Sequence, residues 1–214
     1  MRPSDIHAVV AVLKRAARGW REPVSSALRD PFLVLVSCLL SLRTKDPVTE
    51  EASARLFKLA RTPGELSRLP IPVIEKAVYP VGFYRTKART LKALSRTLLA
   101  ERQGRVPDTM ETLLALKGVG RKTANLVLTA GFGKPGICVD THVHRISNRL
   151  GYVRTRTPEE TEMALRRGLP QRYWSVYNRL LVAFGQNVCA PVSPWCSRCG
   201  VERWCAKRGV LRSR

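Results

Sequence analysis

Hydrophobic residues recur at intervals of three and four along most of this chain, which is the spacing of one face of an α-helix. The clearest examples are leucine-rich stretches at residues 56–60, 91–99 and 113–116. No stretch alternates between hydrophobic and polar positions with a period of two, and the apolar segment Ile137–Val139 is too short to indicate a strand. The pattern predicts an all-α protein.

Short polar motifs mark the beginnings of the predicted helices. Asp30–Pro31 and Asp46–Pro47 each combine an N-cap residue with a proline in the first turn. Thr62–Glu65 has the spacing of a capping box, in which two side chains satisfy each other's backbone amides. Asp108–Glu111 and Thr157–Glu160 have the same spacing. These motifs divide the chain into helices without a long linker or a clear repeat.

The chain is strongly basic. Its 38 lysine and arginine residues against 16 aspartate and glutamate residues give a net charge of +22. A compact protein with this excess repels itself unless an anion is nearby, and binding to nucleic acid releases counterions from the phosphates. The charge therefore favours a DNA or RNA partner over a basic surface that serves only solubility.

No segment is apolar enough to predict a membrane span. The longest hydrophobic run, Phe32–Leu40, is interrupted by Ser37 and Cys38 and is about half of the roughly twenty residues that a spanning helix needs. The N-terminus lacks the apolar stretch of a signal peptide. We therefore expect a cytoplasmic, nucleoid-associated protein with no membrane partner. Its six cysteines would be reduced, and would serve as ligands more readily than as disulfides.

The segment Leu116–Ala124 (LKGVGRKTA) has the composition of a tight helical hairpin. Gly118 and Gly120 permit the backbone to reverse, Val119 would fill the space between two helices, and the second helix is predicted to begin at about Arg121. The amides at the start of that helix would form a phosphate site, which Arg121 reinforces. An ordinary helical hairpin is the alternative, but the two basic residues after the second glycine favour docking on a DNA backbone.

Four cysteines lie close together near the C-terminus. Cys189, Cys196, Cys199 and Cys205 are separated by six, two and five residues, so their thiolates can converge on one point. Zinc sites usually contain two close pairs of cysteines, whereas this segment has one. The spacing therefore favours a four-iron cluster over a zinc ion.

Two tryptophans and two further cysteines have simpler interpretations. Trp195 and Trp204 each precede a cysteine of the C-terminal group and are expected to shield the site. Cys38 and Cys138 have apolar neighbours, so we expect both to be small buried hydrophobic residues.

These segments together resemble the endonuclease III family of DNA glycosylases. The resemblance rests on Leu116–Asn125 (LKGVGRKTAN), on Val139–His142 (VDTH) and on the spacing of the four C-terminal cysteines. The order of these segments and their separations also match the family. The resemblance covers nearly the whole chain, from the helix that begins at Asp30 to Cys205.

The resemblance implies a two-lobed all-α fold. A six-helix lobe over residues 24–134 would contain the hairpin. Residues 1–23 and 135–214 would form the second lobe, in which the four cysteines hold a [4Fe–4S] cluster. The active site would lie in the cleft between the lobes, and double-stranded DNA with a damaged base or an abasic site would cross both. Nothing suggests more than a monomer.

The resemblance also implies the residues that perform the reaction. In the family, the lysine after the hairpin is the nucleophile and the aspartate of the VDTH segment assists it. Lys122 and Asp140 occupy these positions. Relatives that excise adenine or mismatched thymine replace the lysine. Its presence implies a bifunctional glycosylase and abasic-site (AP) lyase that flips an oxidised pyrimidine, attacks C1′ through Lys122 and nicks the strand by β-elimination.

Each of these residues also has a structural interpretation. The structural alternative for Lys122 is a phosphate-binding lysine on a basic helix, and for Asp140 it is the N-cap of a helix that begins near Thr141. Capping and catalysis can coexist. His142 and His144 are placed to contact phosphate, but a histidine near a helix start is more often structural.

Two positions depart from the family's usual pattern in the region that enters DNA. Arg43 replaces a glutamine that fills the gap left by the flipped nucleotide. An arginine can also fill this gap and hydrogen-bond a base edge such as that of guanine, or it can bind a phosphate instead. Phe83 replaces a leucine that acts as a second wedge. It would either stack between bases or belong to the core.

The loop between Cys189 and Cys196 is a third departure. The family commonly has basic residues there for contact with DNA, and this chain has none. Four basic residues lie close enough in sequence to substitute for them: Arg198, Arg203, Lys207 and Arg208.

Two alternatives to the bifunctional enzyme remain open on the sequence alone. Arg43 makes a mismatch-type glycosylase conceivable. A non-catalytic DNA damage-binding module with a redox-inert cluster is the second alternative. The presence of both Lys122 and Asp140 favours the enzyme.

Overall fold

The computed structural model describes residues 1–20 and 28–214, and every regular element within these two ranges is helical. The prediction of an all-α protein is confirmed, since the described ranges contain no strand. Helix α8 continues directly into a π-helical turn, Val127–Gly131. The α-helices are α1 (Ile6–Ala17), α2 (Pro31–Ser41), α3 (Asp46–Leu59), α4 (Pro63–Arg68), α5 (Ile71–Val78), α6 (Tyr84–Arg102), α7 (Met110–Leu114), α8 (Arg121–Leu126), α9 (Thr141–Leu150), α10 (Pro158–Gly168) and α11 (Trp174–Asn187).

The chain divides into two compact units. One consists of Val24–Lys134 and the other of Met1–Pro23 together with Pro135–Arg214. The sequence-based boundary between residues 23 and 24 lies outside the described residues. Helices α2 to α8 belong to the first unit, and α1 belongs to the second with α9, α10 and α11.

Helix α2 is buried along most of its length and forms the centre of the Val24–Lys134 unit. Every residue from Phe32 to Leu40 is buried, so the helix is apolar on all sides. It packs against α3, α6, α8 and the π-helical turn. The long apolar run is therefore core, and none of the described helices is long and apolar enough to cross a membrane. Cys38 on this helix and Cys138 are both buried, as predicted.

The second unit has its own hydrophobic core. Helix α11 packs against both α1 and α9, and α10 packs against α9. Tyr177 of α11 is fully buried, and its hydroxyl lies 3.2 Å from the hydroxyl of Ser147 on α9. This buried polar contact fixes α9, the helix that begins within the VDTH segment, against α11.

Three of the predicted helix caps are confirmed. Asp30 accepts hydrogen bonds from two amides in the first turn of α2. Thr62 and Glu65 form the predicted capping box at α4. Thr157 accepts from the amide of Glu160 at α10. Local side-chain chemistry therefore sets these three helix starts.

Two predicted caps are wrong by one residue. The N-cap of α3 is Lys45, and Asp46 lies inside the first turn, because a proline is tolerated there and does not fix the cap. The N-cap of α7 is Thr109. Asp108 is instead engaged by Lys134, whose ammonium lies 2.6 Å from its carboxylate.

Candidate active site

The helical hairpin joins α7 to α8. Helix α7 ends at Leu114, slightly earlier than the sequence suggested, and α8 begins at Arg121, as predicted. Gly118 has a φ of +86°, a conformation that strains any residue with a side chain. Val119 is buried in the core of the unit, and its amide donates to the carbonyl of Leu116 at 3.0 Å. The predicted roles of Gly118 in the turn and of Val119 between the helices are confirmed.

Gly120 is the N-cap residue of α8, and its conformation differs from that of Gly118. Its φ of −96° is open to any residue, and a methyl group added there would meet no protein atom within 4 Å. Neither backbone strain nor internal packing therefore requires glycine at this position. The missing side chain leaves room in front of the first turn of α8, where helix amides and the helix dipole attract anions.

Lys122 is the second residue of α8 and is exposed. The next three residues, Thr123–Asn125, are buried and anchor the helix on its other side. Burial raises the pKa of the Cys38 thiol to about 12, and the positive charge of Lys122 opposes this rise. The Lys122 ammonium therefore lies within electrostatic range of α2.

The π-helical turn after α8 brings that helix up against the start of α2. A methyl group on Gly131 would lie 2.8 Å from Cα of Pro31, so glycine is needed for this close approach. The hydroxyl of Thr129 donates to the carbonyl of Asn125 at 2.8 Å, which ties the turn to α8. Turns of this kind are rare and often found at functional sites.

Asp140 is the N-cap residue of α9. Its Oδ1 atom accepts hydrogen bonds from the amides of His142 and Val143, both at 2.9 Å. The capping role considered from the sequence is therefore confirmed. Oδ2 takes no part in these two bonds. Asp140 and Lys122 belong to different compact units.

The two histidines after Asp140 are held by other side chains. Nδ1 of His142 lies 3.1 Å from the guanidinium of Arg145. Because a guanidinium only donates, Nδ1 is the acceptor in this contact. A methyl group on Gly185 would lie 2.2 Å from the same Nδ1, so the ring packs against α11. His144 lies 2.7 Å from the hydroxyl of Thr161, in agreement with a structural role.

Arg43 and Phe83 lie side by side in the Val24–Lys134 unit. The guanidinium carbon of Arg43 is 5.8 Å from the centroid of the Phe83 ring. Both residues have positive φ angles, 52° and 59°, although neither is glycine. Phe83 is 64% exposed, so the interpretation of this residue as core is wrong. Two residues that are 40 positions apart in the sequence thus form one exposed pair.

The four C-terminal cysteines line one common recess of about 400 Å³, including its open mouth. Trp195 contributes to the lining as predicted, whereas Trp204 does not. Within the described ranges, no group of three or more His, Cys, Asp and Glu side chains is arranged to hold a metal ion. The four cysteines nevertheless share one recess.

Burial and the neighbouring cysteines disfavour the charged forms of two of these thiols, Cys199 and Cys205. Burial raises the pKa of Cys199 to about 11, and the other three cysteines add to this rise. Burial also raises the pKa of Cys205. A bound metal would reverse this preference, since coordination deprotonates a thiol outright. The donor set thus fits a thiolate-ligated metal group.

Arg149 connects α9 to the cysteine segment. Its side chain is buried, and it donates to the carbonyls of Ala190 and Pro191, both at 2.6 Å. The same guanidinium lies 3.4 Å from Sγ of Cys189. This buried cation therefore fixes the start of the Cys189–Cys196 loop and places positive charge beside a sulfur atom.

The basic residues near this loop mostly contact aromatic or acidic side chains. The guanidinium carbon of Arg198 lies 4.1 Å from the Trp195 ring centroid, and that of Arg203 lies 3.8 Å from the Trp204 ring centroid. Lys207 pairs with Glu202 at 2.6 Å.

Comparisons with known proteins agree with the resemblance found in the sequence. The HhH-GPD superfamily of base excision DNA repair proteins matches residues 36–171. The chain is 48% identical over 194 residues to endonuclease III of Thermotoga maritima, which covers 91% of this chain and 88% of that protein. The chain belongs to the endonuclease III family.

Solved structures of the endonuclease III family and its neighbours have the same fold. A trapped covalent intermediate of an endonuclease III with DNA superposes with a TM-score of 0.86 at 32% identity and covers 97% of both chains. A thermostable thymine-DNA glycosylase superposes with a TM-score of 0.84 at 25% identity, over 96% of this chain and 95% of that one. Because both enzymes share this fold, the fold alone does not determine the lesion.

Two residues with several hydrogen bonds to distant parts of the chain, Arg149 and Lys87, were not identified from the sequence. Arg149 is a buried arginine of α9 that contacts the cysteine segment, and Lys87 of α6 contacts the chain on both sides of Arg43. Neither belongs to a motif that sequence reasoning recognises. A basic residue on an amphipathic helix ordinarily indicates a solvent-exposed face.

Proposed function

We propose that this protein is a bifunctional DNA glycosylase and AP lyase of base excision repair that removes oxidised pyrimidines from double-stranded DNA. The observation that carries the proposal is Lys122, an exposed amine on the first turn of the hairpin's second helix. A lysine nucleophile forms an imine with the sugar carbon, and the imine permits strand cleavage. Glycosylases that activate water instead have no such intermediate.

The reaction begins with a nucleotide flipped out of the duplex, since C1′ is not accessible within the base stack. Nζ of Lys122 gives up a proton and attacks C1′. The glycosidic C1′–N bond breaks, and its electron pair leaves with the base, which takes up a proton. Loss of the second proton from nitrogen frees an electron pair that forms the C=N bond of the imine, while the C1′–O4′ bond breaks and the ring oxygen takes up a proton. Removal of a C2′ proton then expels the 3′ phosphate, and water finally hydrolyses the imine.

Asp140 is proposed to accept the lysine proton and to stabilise positive charge on the sugar. The two capping hydrogen bonds of α9 use Oδ1 only. We assign the acceptance of the lysine proton to Oδ2. One carboxylate would then cap α9 through Oδ1 and take part in the reaction through Oδ2.

The hairpin is proposed to bind the DNA backbone. The space in front of Gly120 admits a phosphate to the first turn of α8, and Arg121 adds a positive charge there. Gly118 and Val119 hold the turn in this shape. His142 has less support as a DNA contact, because its ring packs against α11 and its Nδ1 faces Arg145.

Arg43 and Phe83 are proposed to enter the gap left by the flipped nucleotide. Phe83 is exposed and presents an aromatic face on which a base can stack. Arg43 carries donors that match the acceptors of guanine. Their close approach in the structure supports joint insertion, and the arginine favours guanine as the opposite base.

Cys189, Cys196, Cys199 and Cys205 are proposed to ligate a [4Fe–4S] cluster. The common recess, the four thiols and the buried Arg149 support this assignment. When bound, the cluster would cross-link the C-terminal segment through four iron–sulfur bonds. It takes no part in the steps at C1′. We further propose that the protein acts as a monomer on DNA in the cytoplasm, associated with the nucleoid.

Borohydride trapping tests the proposal. The substrate is a duplex with a single oxidised pyrimidine, and the proteins are wild type, Lys122→Ala and Lys117→Ala. Lys117 is an exposed lysine of the same hairpin, so its removal costs one positive charge without touching the nucleophile. We expect a covalent adduct with wild type and Lys117→Ala and none with Lys122→Ala.

Two outcomes would contradict the proposal in different ways. Neither adduct nor cleavage with wild type would indicate a damage-binding module that does no chemistry. Release of the base without an adduct would show that water attacks the sugar, as in a mismatch-type glycosylase.

A further inference from the structure

The ammonium of Lys87, on α6, is directed entirely at the segment around Arg43. It donates to the carbonyl of Leu40 at 2.8 Å, to the carbonyl of Leu42, and to the hydroxyl of Thr44 at 3.2 Å. An ammonium has three hydrogens, so these contacts use all of its donors. Lys87 therefore contacts the chain immediately before and after Arg43.

These contacts compensate for a deficiency at the end of α2. The last carbonyls of a helix have no intrahelical donors and favour a nearby cation, yet the last turn of α2 contains no basic residue. Lys87 supplies that cation from another helix. Burial lowers the pKa of Lys87 to about 8, so at neutral pH the ammonium is still mainly protonated and keeps its three donors.

Thr44 extends the network to the turn that precedes Phe83. Its hydroxyl accepts from the amide of Gly82 at 3.2 Å and donates to the carbonyl of Leu42 at 3.3 Å. A methyl group on Gly82 would lie 2.6 Å from the carbonyl oxygen of Arg43, so the two backbones touch directly. The loop with Arg43 and the turn with Phe83 thus form one connected structure. Lys87 contacts this structure through Leu40, Leu42 and Thr44.

This structure maintains two unfavourable backbone conformations. Arg43 and Phe83 both have positive φ angles, which are costly for residues with a side chain. Such conformations persist only where the surroundings over-determine them, and they are concentrated at functional sites. Lys87, Thr44 and Gly82 supply that constraint, and the result is an exposed arginine in contact with an exposed aromatic ring.

We propose that Lys87 is a positioning residue that holds Arg43 and Phe83 in the geometry with which they fill the gap in the duplex and read the opposite base. The inference rests on the proposed function, because it assigns a purpose to the pair within that reaction. Without Lys87 the loop would relax, and Arg43 would lose its fixed direction. The attack by Lys122 would stay intact but would act on fewer correctly flipped nucleotides.

The test compares Lys87→Met with Lys92→Met. Methionine keeps an unbranched side chain but removes the ammonium. Lys92 is a matched control on the same helix, because it is also partly buried and donates to the carbonyl of Leu69 at the end of α4, at 2.6 Å. Single-turnover excision is measured on duplexes with each of the four bases opposite the lesion. The proteins are Lys87→Met, Lys92→Met, Arg43→Ala and the double variant Arg43→Ala/Lys87→Met.

We expect Lys87→Met to reduce excision by roughly 10- to 100-fold, since a misplacement of about 1 Å can cost on the order of 100-fold. The excision rate of Lys87→Met should no longer depend on which base lies opposite the lesion. Lys92→Met should stay within about two-fold of wild type. The double variant should be no slower than Arg43→Ala, because the two residues act through one structure. Lys87→Arg, which keeps the charge and donors, should recover part of the rate.

The inference is wrong if the effects of Arg43→Ala and Lys87→Met multiply, if base preference survives in Lys87→Met, or if Lys92→Met is equally impaired. Should Lys87→Met fail to fold, Thr44→Val removes the hydroxyl that joins the two segments and should give the same loss of base preference.

A DNA-free measurement separates this inference from the proposed function. Hydrogen exchange at the amides of Thr44 and Gly82 should accelerate in Lys87→Met and remain unchanged in Lys92→Met. Unchanged exchange in Lys87→Met would overturn the inference even if wild type forms the borohydride adduct. Absence of that adduct from wild type would instead overturn the proposed function.

Discussion

The Oδ1 atom of Asp140 accepts a hydrogen bond from the amide of Val143 at 2.9 Å, and Oδ2 does not take part in this cap. An asparagine can make the same cap through its amide oxygen, but it cannot accept a proton from Lys122. We therefore expect Asp140→Asn to keep the free energy of unfolding of wild type while single-turnover excision falls by about 10²- to 10⁴-fold. Asp140→Ala should lose the same activity and also about 1 kcal/mol of stability. Equal melting of the two variants would contradict the capping role.

The two hairpin glycines should respond to alanine in opposite ways. Gly118→Ala should lower the free energy of unfolding by about 1–2 kcal/mol, because its φ is +86°. Gly120→Ala should leave stability unchanged or raise it by up to about 1 kcal/mol, since its φ and its surroundings admit a methyl group.

DNA binding by Gly120→Ala tests the proposed phosphate site. The added methyl group should obstruct the approach of a phosphate and weaken binding to duplex DNA. No charge is lost, so the slope of log affinity against log salt concentration should stay close to that of wild type. Undiminished affinity in Gly120→Ala would show that the backbone of DNA does not approach this residue.

If Cys189, Cys196, Cys199 and Cys205 hold the proposed iron–sulfur cluster, the stability of the cysteine segment should depend on it. Cys199→Ser is expected to lose the visible absorbance of an iron–sulfur cluster and to unfold at a lower temperature, because metal binding contributes directly to folding. Cys138→Ser serves as a control outside the recess and should keep the absorbance. Retained absorbance and unchanged melting of Cys199→Ser would exclude this residue as a ligand.

Arg149 of α9 should contribute more to stability than an exposed arginine of the cysteine segment. Arg149→Met leaves the carbonyls of Ala190 and Pro191 without their donor, which should cost about 2–4 kcal/mol and speed the loss of the cluster to a chelator. Arg198→Met removes an exposed arginine that stacks on Trp195 and should cost less than about 1 kcal/mol. Equal melting temperatures for these two variants would show that the loop is not held by Arg149.

The features that could be predicted from the sequence depend on local chemistry. The capping box at Thr62, the reversal at Gly118 and the burial of Val119 each follow from a few adjacent residues, and each is confirmed. The two misplaced caps show the limit of such signals, because a proline in the first turn and an aspartate near a helix start are compatible with more than one register.

The features that could not be predicted depend on residues far apart in the sequence. Lys87 reaches Leu40, 47 positions earlier, and Arg149 reaches Ala190, 41 positions later. The helical pattern of a sequence does not distinguish a lysine that points to solvent from one that donates to the last carbonyls of another helix. Phe83 likewise combines a left-handed backbone with an exposed ring, and a hydrophobic residue in the sequence indicates neither.

The contact of Gly131 with Pro31 has a mechanical consequence. The helix that carries Lys122 ends against the start of α2, and α2 in turn ends just before Arg43. The segment from Lys122 to Gly131 and helix α2, which is buried from Phe32 to Leu40, therefore connect the proposed nucleophile to Arg43 through one series of packed elements. If this packing fixes the distance from Lys122 to Arg43, the duplex has to deform to fit it, and we expect binding to cost least where a damaged base has already weakened stacking.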